Sequence, residues 1–170
     1  HVERNPGRLA DIINRTVARG GSVLIPAFAV DRTEVLLCAL KDLRSAGLIP
    51  SVPVYVDSPM ALRSLEVYRK ALERADADVR DTVRADADPL GTAHLGALTT
   101  VQESMSVNVP AYPSIVISAS GMASGGRVLH HLAYQLPDPR NTVVLVGFQA
   151  AGTRGRALLE GARSVKIHGT

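Results

Sequence analysis

Tryptophan is absent from this sequence of 170 residues, and aromatic residues make up only 4% of it. Since hydrophobic residues still account for 46%, the core must be built mainly from valine, leucine, isoleucine and alanine. A chain of this length and composition can bury one substantial core. We therefore expect a single domain spanning residues 1–170.

Cysteine occurs once, as Cys38, so no disulfide can form within the chain. Its neighbours in EVLLCALKDL have helical apolar spacing, which favours a buried structural thiol. No apolar run approaches the ~18 residues that a membrane span needs, and the sequence does not open with a charged and then apolar leader. We expect a cytoplasmic protein that does not contact a membrane.

The histidines lack metal-binding spacing. They lie at positions 1, 94, 130, 131 and 168, with no HxH or HxxxH pattern and no cysteine partner. His130 and His131 are neighbours in a predicted helix, so their side chains point about 100° apart and cannot both face one site. Surface or packing roles are favoured for this pair, and no metal or other cofactor is expected in this chain.

The net charge of +3 is small but unevenly distributed. Residues 1–90 contain 13 basic and 13 acidic side chains, whereas residues 91–170 contain 6 and 3. The second half also contains most of the glycine-rich turns, a combination that suits an anionic ligand. A mild basic excess alone is weak evidence for nucleic-acid binding.

Short apolar runs alternate with helical patterns along most of the chain. This alternation predicts an α/β domain of the Rossmann-like, doubly wound type, with a mainly parallel sheet and helices on both faces. The predicted strands are GSVLIPAF, VPVYVD, PSIVISAS, NTVVLVGF and SVKIHG.

Three helices have clear start or stop signals. NPGRLADIINRTVARGG has Pro6 near its first turn and a glycine pair after its end. In VDRTEVLLCALKDLRSAG, Asp31 and Glu34 have the spacing of a capping box, and Gly47 ends the run. In VDSPMALRSLEVYRKAL, Ser58 is a plausible N-cap before a proline.

The stretch of about residues 76–105 is the least regular part of the sequence. It is rich in Asp, Ala and Thr, and Pro89 and Gly91 interrupt any long period. We interpret it as an irregular excursion, part of which is helical, and favour a surface loop over a direct catalytic role.

Small or polar residues follow four of the predicted strands, in the segments AFAVDR, DSP, SASGMASGGR and GFQAAGTRGR. Because the carboxyl ends of parallel strands line a common crevice, these segments are expected to converge where such folds bind ligands. Asp57 is the best placed carboxylate, and contact with a ligand and hydrogen bonding to its own turn remain equally open for it.

The third of these segments has the features of an anion site. Gly121, Gly125 and Gly126 allow backbone amides to approach a phosphate, and Arg127 can add a bidentate charge. The alternative is a helix start capped by Ser124, with glycines required for close packing.

GFQAAGTRGR repeats this chemistry, with Gly152 and Thr153 at a turn and Arg154 just beyond it. Neither segment contains the GxGxxG dinucleotide fingerprint or the GxxxxGK[ST] phosphate loop, so cofactor binding loses its main support.

Taken in order, these segments resemble the β-CASP domain, the insert found in metallo-β-lactamase-fold nucleases that process RNA. The resemblance is to the bacterial and archaeal branch, which is related to RNase J and to the cleavage and polyadenylation specificity factor nuclease. The blocks that carry it are RGGSVLIPAFAVDRTEVLL, VPVYVDSPMA, SIVISASGMASGGRVLHHL, NTVVLVGFQAAGTRGR and VKIHG.

This resemblance implies a zinc-dependent ribonuclease, because family enzymes hydrolyse RNA phosphodiesters with two zinc ions held by the metallo-β-lactamase domain. That domain's HxHxDH motif does not occur in this chain, which looks like the insert alone. His168 is rejected as the family's His-Gly ligand, because no Ser-Ala-His stretch precedes it. The chain also departs from the family at Asp31, where many relatives have glycine, and near Pro89, where a phenylalanine is often found.

The chain is therefore expected to bind single-stranded RNA in a cleft against the metallo-β-lactamase domain of the same parent chain, and to be inactive alone. A freestanding domain that binds a nucleotide or another phosphorylated small molecule is the alternative, and a role in assembly with a partner or a second copy stays open. No catalytic or metal-binding residue is predicted. The predicted RNA phosphate-binding residues are Asp57, Ser58, Ser118, Ser120, Gly121, Gly125, Gly126, Arg127, Gln149, Gly152, Thr153 and Arg154.

Overall fold

A computed structural model describes residues 6–74, 86, 88–91, 95–109 and 113–169. Its strands are β1 (Val23–Pro26), β2 (Val54–Asp57), β3 (Leu95–Ala97), β4 (Ile115–Ser118) and β5 (Thr142–Val143). Its helices are α1 (Pro6–Ala18), α2 (Arg32–Ser45), α3 (Pro59–Glu73), α4 (Val101–Ser106), α5 (Arg127–Gln135) and α6 (Arg154–Leu159). His1, His94 and part of the predicted excursion lie outside the described residues.

The strands form one parallel sheet in the order β3-β2-β4-β1-β5, and helices cover both of its faces. Alternate residues of each strand point to opposite faces. On β1, Val23 and Ile25 pack with apolar residues of α1, α2 and α3, whereas Leu24 packs with Val128 and Leu132 of α5. The predicted doubly wound α/β fold is confirmed.

The sheet differs from the predicted strands at its edges. SVKIHG is not a strand, so that prediction is wrong. Val165 and Ile167 pack against the apolar layer under α5, and the carbonyl of Lys166 accepts a hydrogen bond from Arg154. The fifth strand is instead β3, which lies inside the predicted excursion and pairs with β2.

The strand predicted at NTVVLVGF is shorter in the structure. Only Thr142 and Val143 form β5, beside β1. The amide of Val144 donates one further hydrogen bond to the carbonyl of Leu24, at 2.9 Å. Beyond that residue the segment leaves the ladder.

The start signal was correct for α3 and wrong for α2, whereas α2 does end just before Gly47 as predicted. Ser58 Oγ accepts a hydrogen bond from the amide of Ala61 at 3.2 Å, as an N-cap should. Asp31 precedes α2 with a φ of 63° and makes no capping bond. Its carboxylate accepts a hydrogen bond from the Tyr68 hydroxyl at 2.6 Å, which raises the pKa of Tyr68 to about 12. Glu34 is buried, and its carboxylate has no partner among the described residues.

The sequence also predicted a buried thiol at Cys38 and no membrane-spanning segment. Cys38 is free and half-buried on α2, where burial raises the pKa of its thiol. Within the described ranges, no helix has the length and apolar composition to cross a membrane.

A prediction follows for Gly21, which precedes β1 and lies against the backbone of the β5 side of the sheet. A Cβ at this position would lie 1.8 Å from the carbonyl oxygen of Arg140. We expect Gly21→Ala to lower the free energy of unfolding by at least about 1–3 kcal/mol, because backbone must move. Urea denaturation measures the change. Gly125→Ala is the matched control, since no atom lies within 4 Å of that added Cβ, and an equal effect in both variants would contradict the prediction.

Candidate functional site

The loops that follow β1 and β4 lie side by side at the carboxyl edge of the sheet. The amide of Ala27 donates a hydrogen bond to the carbonyl of Ser118 at 3.1 Å. From here the β1 loop leads to α2 on one face of the sheet and the β4 loop to α5 on the other. Adjacent strand ends whose loops run to opposite faces are where open α/β sheets bind ligands.

Two glycine-containing segments meet at this edge, the first glycine turn (residues 119–126) and the second glycine turn (residues 147–154). The amide of Gly155 donates to the carbonyl of Met122 at 3.0 Å. Gln149 Nε2 donates to the carbonyl of Gly121 at 3.1 Å. The two turns are therefore joined directly, as the positions of their strands predicted.

Close packing at Gly155 and Gln149 explains part of the glycine pattern. A Cβ on Gly155 would lie 1.7 Å from Gln149 Oε1, an atom that is buried and has no partner in the described part of the chain. Gln149 is itself only 2% exposed. It therefore holds the two turns together from inside rather than from the surface.

Unpaired backbone amides remain at the first glycine turn. Ser124 donates its amide to Ser120 Oγ at 3.1 Å, but the amides of Gly125 and Gly126 meet no acceptor within the described residues. The space around Gly125 is open, and Gly126, with a φ of +80°, is the N-cap of α5. The alternative in which Ser124 caps the helix is therefore wrong. Free amides at a helix start are suited to bind an anion.

The second glycine turn, like the first, contains a glycine with open space around it. Gly152 has a φ of +81° and open space around it. Thr153 is the N-cap of α6, where its Oγ1 accepts a hydrogen bond from the amide of Arg156 at 3.2 Å. The turn is therefore fixed by its own cap while its glycine faces open space.

Arg154 joins the two turns by its guanidinium group. Its Nη1 donates to the carbonyl of Ser124 at 3.3 Å, and its Nε donates to the carbonyl of Lys166 at 2.5 Å. These acceptors are neutral, and among the described residues no carboxylate forms an ion pair with Arg154. Its positive charge is therefore uncompensated beside the unpaired amides.

Asp57 is buried at the end of β2, with an exposure of 1%. Its Oδ1 accepts a hydrogen bond from Arg127 Nη1 at 2.6 Å. Its Oδ2 accepts bonds from Ser104 Oγ at 2.5 Å and His131 Nε2 at 2.7 Å. His131 Nδ1 lies 2.6 Å from Asn108 Oδ1, so the network extends one residue further.

This network determines the charge state of Asp57. Burial acts to raise the pKa of the carboxyl group, but the hydrogen bonds from His131, Ser104 and Arg127 outweigh burial and hold the pKa below its usual value. Asp57 is therefore an anion at neutral pH. The guanidinium of Arg127 is matched by that anion and also donates to the carbonyls of Leu98 and Thr99.

The remaining predicted residues divide by exposure. Ser58 and Ser118 are buried, and Ser118 Oγ donates to the carbonyl of Asp57 at 3.1 Å. Gly121 is also buried, whereas Ser120 is half-buried. The other predicted residues are more accessible: Gly126 and Gly152 are exposed, and Gly125, Arg127, Thr153 and Arg154 are half-buried. The assignment of all these residues to RNA phosphate stays a prediction.

Ser104 and Asn108 belong to the site but were not predicted. Their position depends on α4, which starts with a capping box: Thr100 Oγ1 accepts from the amide of Glu103, and Glu103 Oε2 accepts from the amide of Thr100. The hydrogen bonds that the Glu103 carboxylate accepts from the amides of Thr100 and Thr99 and from the Thr99 hydroxyl lower its pKa to about 2. The signal was present in the sequence as TTVQE, with Thr and Glu at capping-box spacing.

The histidine pair occupies two different environments, in agreement with a helix that separates neighbouring side chains. His131 is fully buried in the Asp57 network, whereas His130 is exposed with its ring centroid 4.6 Å from that of His168. Among the described residues, no three His, Cys, Asp or Glu side chains are grouped so that they could hold a metal ion.

The Asp57 network predicts a pH-dependent stability. Because the pKa of Asp57 is lowered in the folded chain, its contribution is complete above the unfolded pKa of about 3.9 and is lost as the pH falls through the folded pKa. At pH 7, Asp57→Asn should lower the free energy of unfolding by roughly 3 kcal/mol, since Arg127 loses its buried counter-charge. The variant should then lose less stability than the unaltered chain on acidification below about pH 4.

Urea denaturation at neutral and acid pH measures both effects. Asp138→Asn is the control, because the Asp138–Arg140 pair lies at the surface and its loss should matter far less. Equal acid sensitivity of Asp57→Asn and the unaltered chain would show that the Asp57 carboxylate does not control this behaviour.

The sequence of this chain is similar to those of several known proteins. The chain is 36% identical over 159 residues to "Ribonuclease TTHA0252" of Thermus thermophilus and 33% identical over 159 residues to an "RNase J-like protein" of Methanocaldococcus jannaschii. Each alignment covers 94% of this chain and 36% of the relative. A "Transcription termination factor FttA" of Methanosarcina mazei is 31% identical, over 93% of this chain and 25% of the relative.

The chain thus spans only about a quarter to a third of the length of these curated relatives. The family model of the Beta-Casp domain matches residues 33–158, which include both glycine turns and the Asp57 network. This chain therefore belongs to the Beta-Casp domain family.

Proposed function

We propose that this chain is the RNA-binding β-CASP insert of a zinc-dependent ribonuclease that acts in RNA processing or decay in the cytoplasm. The observation that carries the proposal is the pair of joined glycine turns. There, among the described residues, the amides of Gly125 and Gly126 have no acceptor and the nearby guanidinium of Arg154 has no carboxylate partner. Backbone amides and an arginine are the groups that bind phosphate oxygens.

A polymer with a phosphate backbone fits this arrangement. Within the described residues, the added-Cβ positions at Gly125 and Gly152 are open, so side chains do not block either glycine from a strand that contacts the two turns. Contacts of this kind position a nucleic acid and carry little sequence information. The printed names of two relatives, a ribonuclease and an RNase J-like protein, support RNA as the polymer.

The hydrolytic chemistry is assigned to the metallo-β-lactamase domain of the same parent chain. The described residues do not fit a zinc site, because they contain no group of three metal-binding side chains. The atoms of Asp57 and His131 are already engaged by Arg127, Ser104 and Asn108. In this proposal the chain binds and orients RNA, while zinc held outside it supplies the activated nucleophile.

RNA binding is the first test. Fluorescence anisotropy with a labelled single-stranded oligoribonucleotide should show weak binding that falls with rising salt, because phosphate contacts release counterions. Arg154→Ala should weaken binding and lower the slope of log K against log salt by about 1. Arg127→Ala should also weaken it, but with a loss of stability, since the buried carboxylate of Asp57 loses its arginine partner.

Arg156→Ala is the matched control for Arg154→Ala. Arg156 lies two residues along α6 and pairs with Glu160 at 2.6 Å, so its removal should change RNA affinity little. Binding of one mononucleotide at micromolar concentration, without binding of RNA, would contradict the proposal and favour the small-molecule alternative.

Cleavage is the second test. The chain incubated with labelled RNA and added zinc should give no turnover, because the described residues provide no metal site. The full-length parent protein should cleave the same RNA and lose activity with a chelator. Robust, chelator-sensitive cleavage by this chain alone would overturn the assignment of the chemistry to another domain.

A further inference from the structure

Phe28 is an exposed aromatic residue at the point where the β1 and β4 loops diverge. It is 44% exposed, although the protein has few aromatic residues and a core built from aliphatic ones. A Cβ on Gly121 would lie 3.0 Å from Phe28 Cδ2, and a Cβ on Gly147 would lie 3.9 Å from Phe28 Cε2. One edge of the ring therefore lies against a glycine of each glycine turn.

The backbone around Phe28 is held in place on both sides. The amide of Ala27 bonds to the carbonyl of Ser118, and the carbonyl of Phe28 accepts a hydrogen bond from Thr33 Oγ1 at 2.9 Å. Further along the same loop, Asp31 is bonded to Tyr68 of α3. An exposed ring on a fixed backbone loses little conformational freedom when a flat partner packs on it.

We propose that Phe28 is a stacking platform for a nucleobase of the RNA strand whose phosphates contact the glycine turns. The inference rests on the proposed function and adds to it a contact with the base. The position of Phe28 supports this role, because one edge of the ring lies against Gly121 of the first turn and Gly147 of the second. The first turn also contains the amides of Gly125 and Gly126, which have no acceptor among the described residues.

Stacking also suits the expected substrate. Every base has a flat π-face, so an aromatic platform binds single strands without reading sequence. A base in a duplex is already stacked on its neighbours, and only an unpaired base can pack on a protein ring. Phe28 would therefore confer a preference for single-stranded over double-stranded RNA, which phosphate contacts alone do not provide.

Affinity measurements with two strands separate base contacts from phosphate contacts. Phe28→Leu keeps an apolar side chain but removes the ring, and should weaken binding of a short single-stranded oligoribonucleotide by about 5- to 150-fold. An abasic strand of the same length should bind the unaltered chain and Phe28→Leu equally, since its phosphates are unchanged. Tyr134→Leu is the control, because Tyr134 is an aromatic residue with 54% exposure near the far end of α5.

A fluorescent variant provides a direct readout of stacking. Because the sequence contains no tryptophan, Phe28→Trp introduces a single indole fluorophore at the platform. The normal strand should quench its emission and the abasic strand should not. Tyr134→Trp should show no quenching with either strand, and circular dichroism checks that each variant is folded.

The outcomes distinguish the inference from the proposed function. Suppose that the unaltered chain binds normal and abasic strands equally well, and that Phe28→Leu binds as tightly. Phe28 is then not a stacking platform, but the proposed RNA binding is supported. If neither strand binds the unaltered chain or any variant, the proposed function fails and the inference fails with it. Base-dependent binding lost in Phe28→Leu, with quenching of Phe28→Trp, would support both.

Discussion

The buried carboxylate of Asp57 is the interaction on which the site depends. A charge that is 1% exposed must be paired, or its desolvation would oppose folding. Its partners come from two helices: Ser104 on α4, and Arg127 and His131 on α5. The carboxylate thereby attaches the start of α5, and with it the first glycine turn, to the end of β2. The open amides of Gly125 and Gly126 are oriented because the helix that follows them is anchored in this way.

This anchoring changes the roles of the two arginines that the sequence places after the glycine turns. Arg127 has the position expected of a phosphate ligand, yet its charge is matched by Asp57 and two of its nitrogens donate to backbone carbonyls. Arg154 donates only to neutral carbonyls, so its field is not cancelled by a neighbouring carboxylate of the described chain. Among the described residues of the two turns, the attraction for an anion therefore comes from Arg154 and from backbone dipoles, which are a weak and sequence-independent source of affinity. Such a site is compatible with the RNA-binding role proposed above, which needs little sequence specificity.

Local signals were sufficient for much of the fold, and contacts between distant segments account for what they missed. The apolar runs of β1, β2 and β4, and the cap of α3 by Ser58, are specified within a few residues of sequence and were predicted. β3 is only three residues long and exists because β2 offers it a partner, so no apolar run marks it. Asp31 has a capping pattern, but a hydroxyl 37 residues away competes for its carboxylate. The same limit applies to the site: glycine turns and strand ends could be recognised, whereas the burial of Asp57 depends on Ser104 and His131, which are 47 and 74 residues away.

The sheet topology also explains why the two glycine turns are not equivalent. β4 is central and pairs along four residues with β1 and along four with β2, so the first turn continues a strand that is fixed on both sides. β5 pairs along only two residues, and the second turn begins after the chain has left the ladder. Its position is therefore determined mainly by bonds to the first turn, from Gly155 to Met122 and from Gln149 to Gly121. A ligand that contacts both turns therefore meets a fixed surface only because these hydrogen bonds attach the second turn to the first. The Phe28 ring lies where the two turns meet, against one glycine of each.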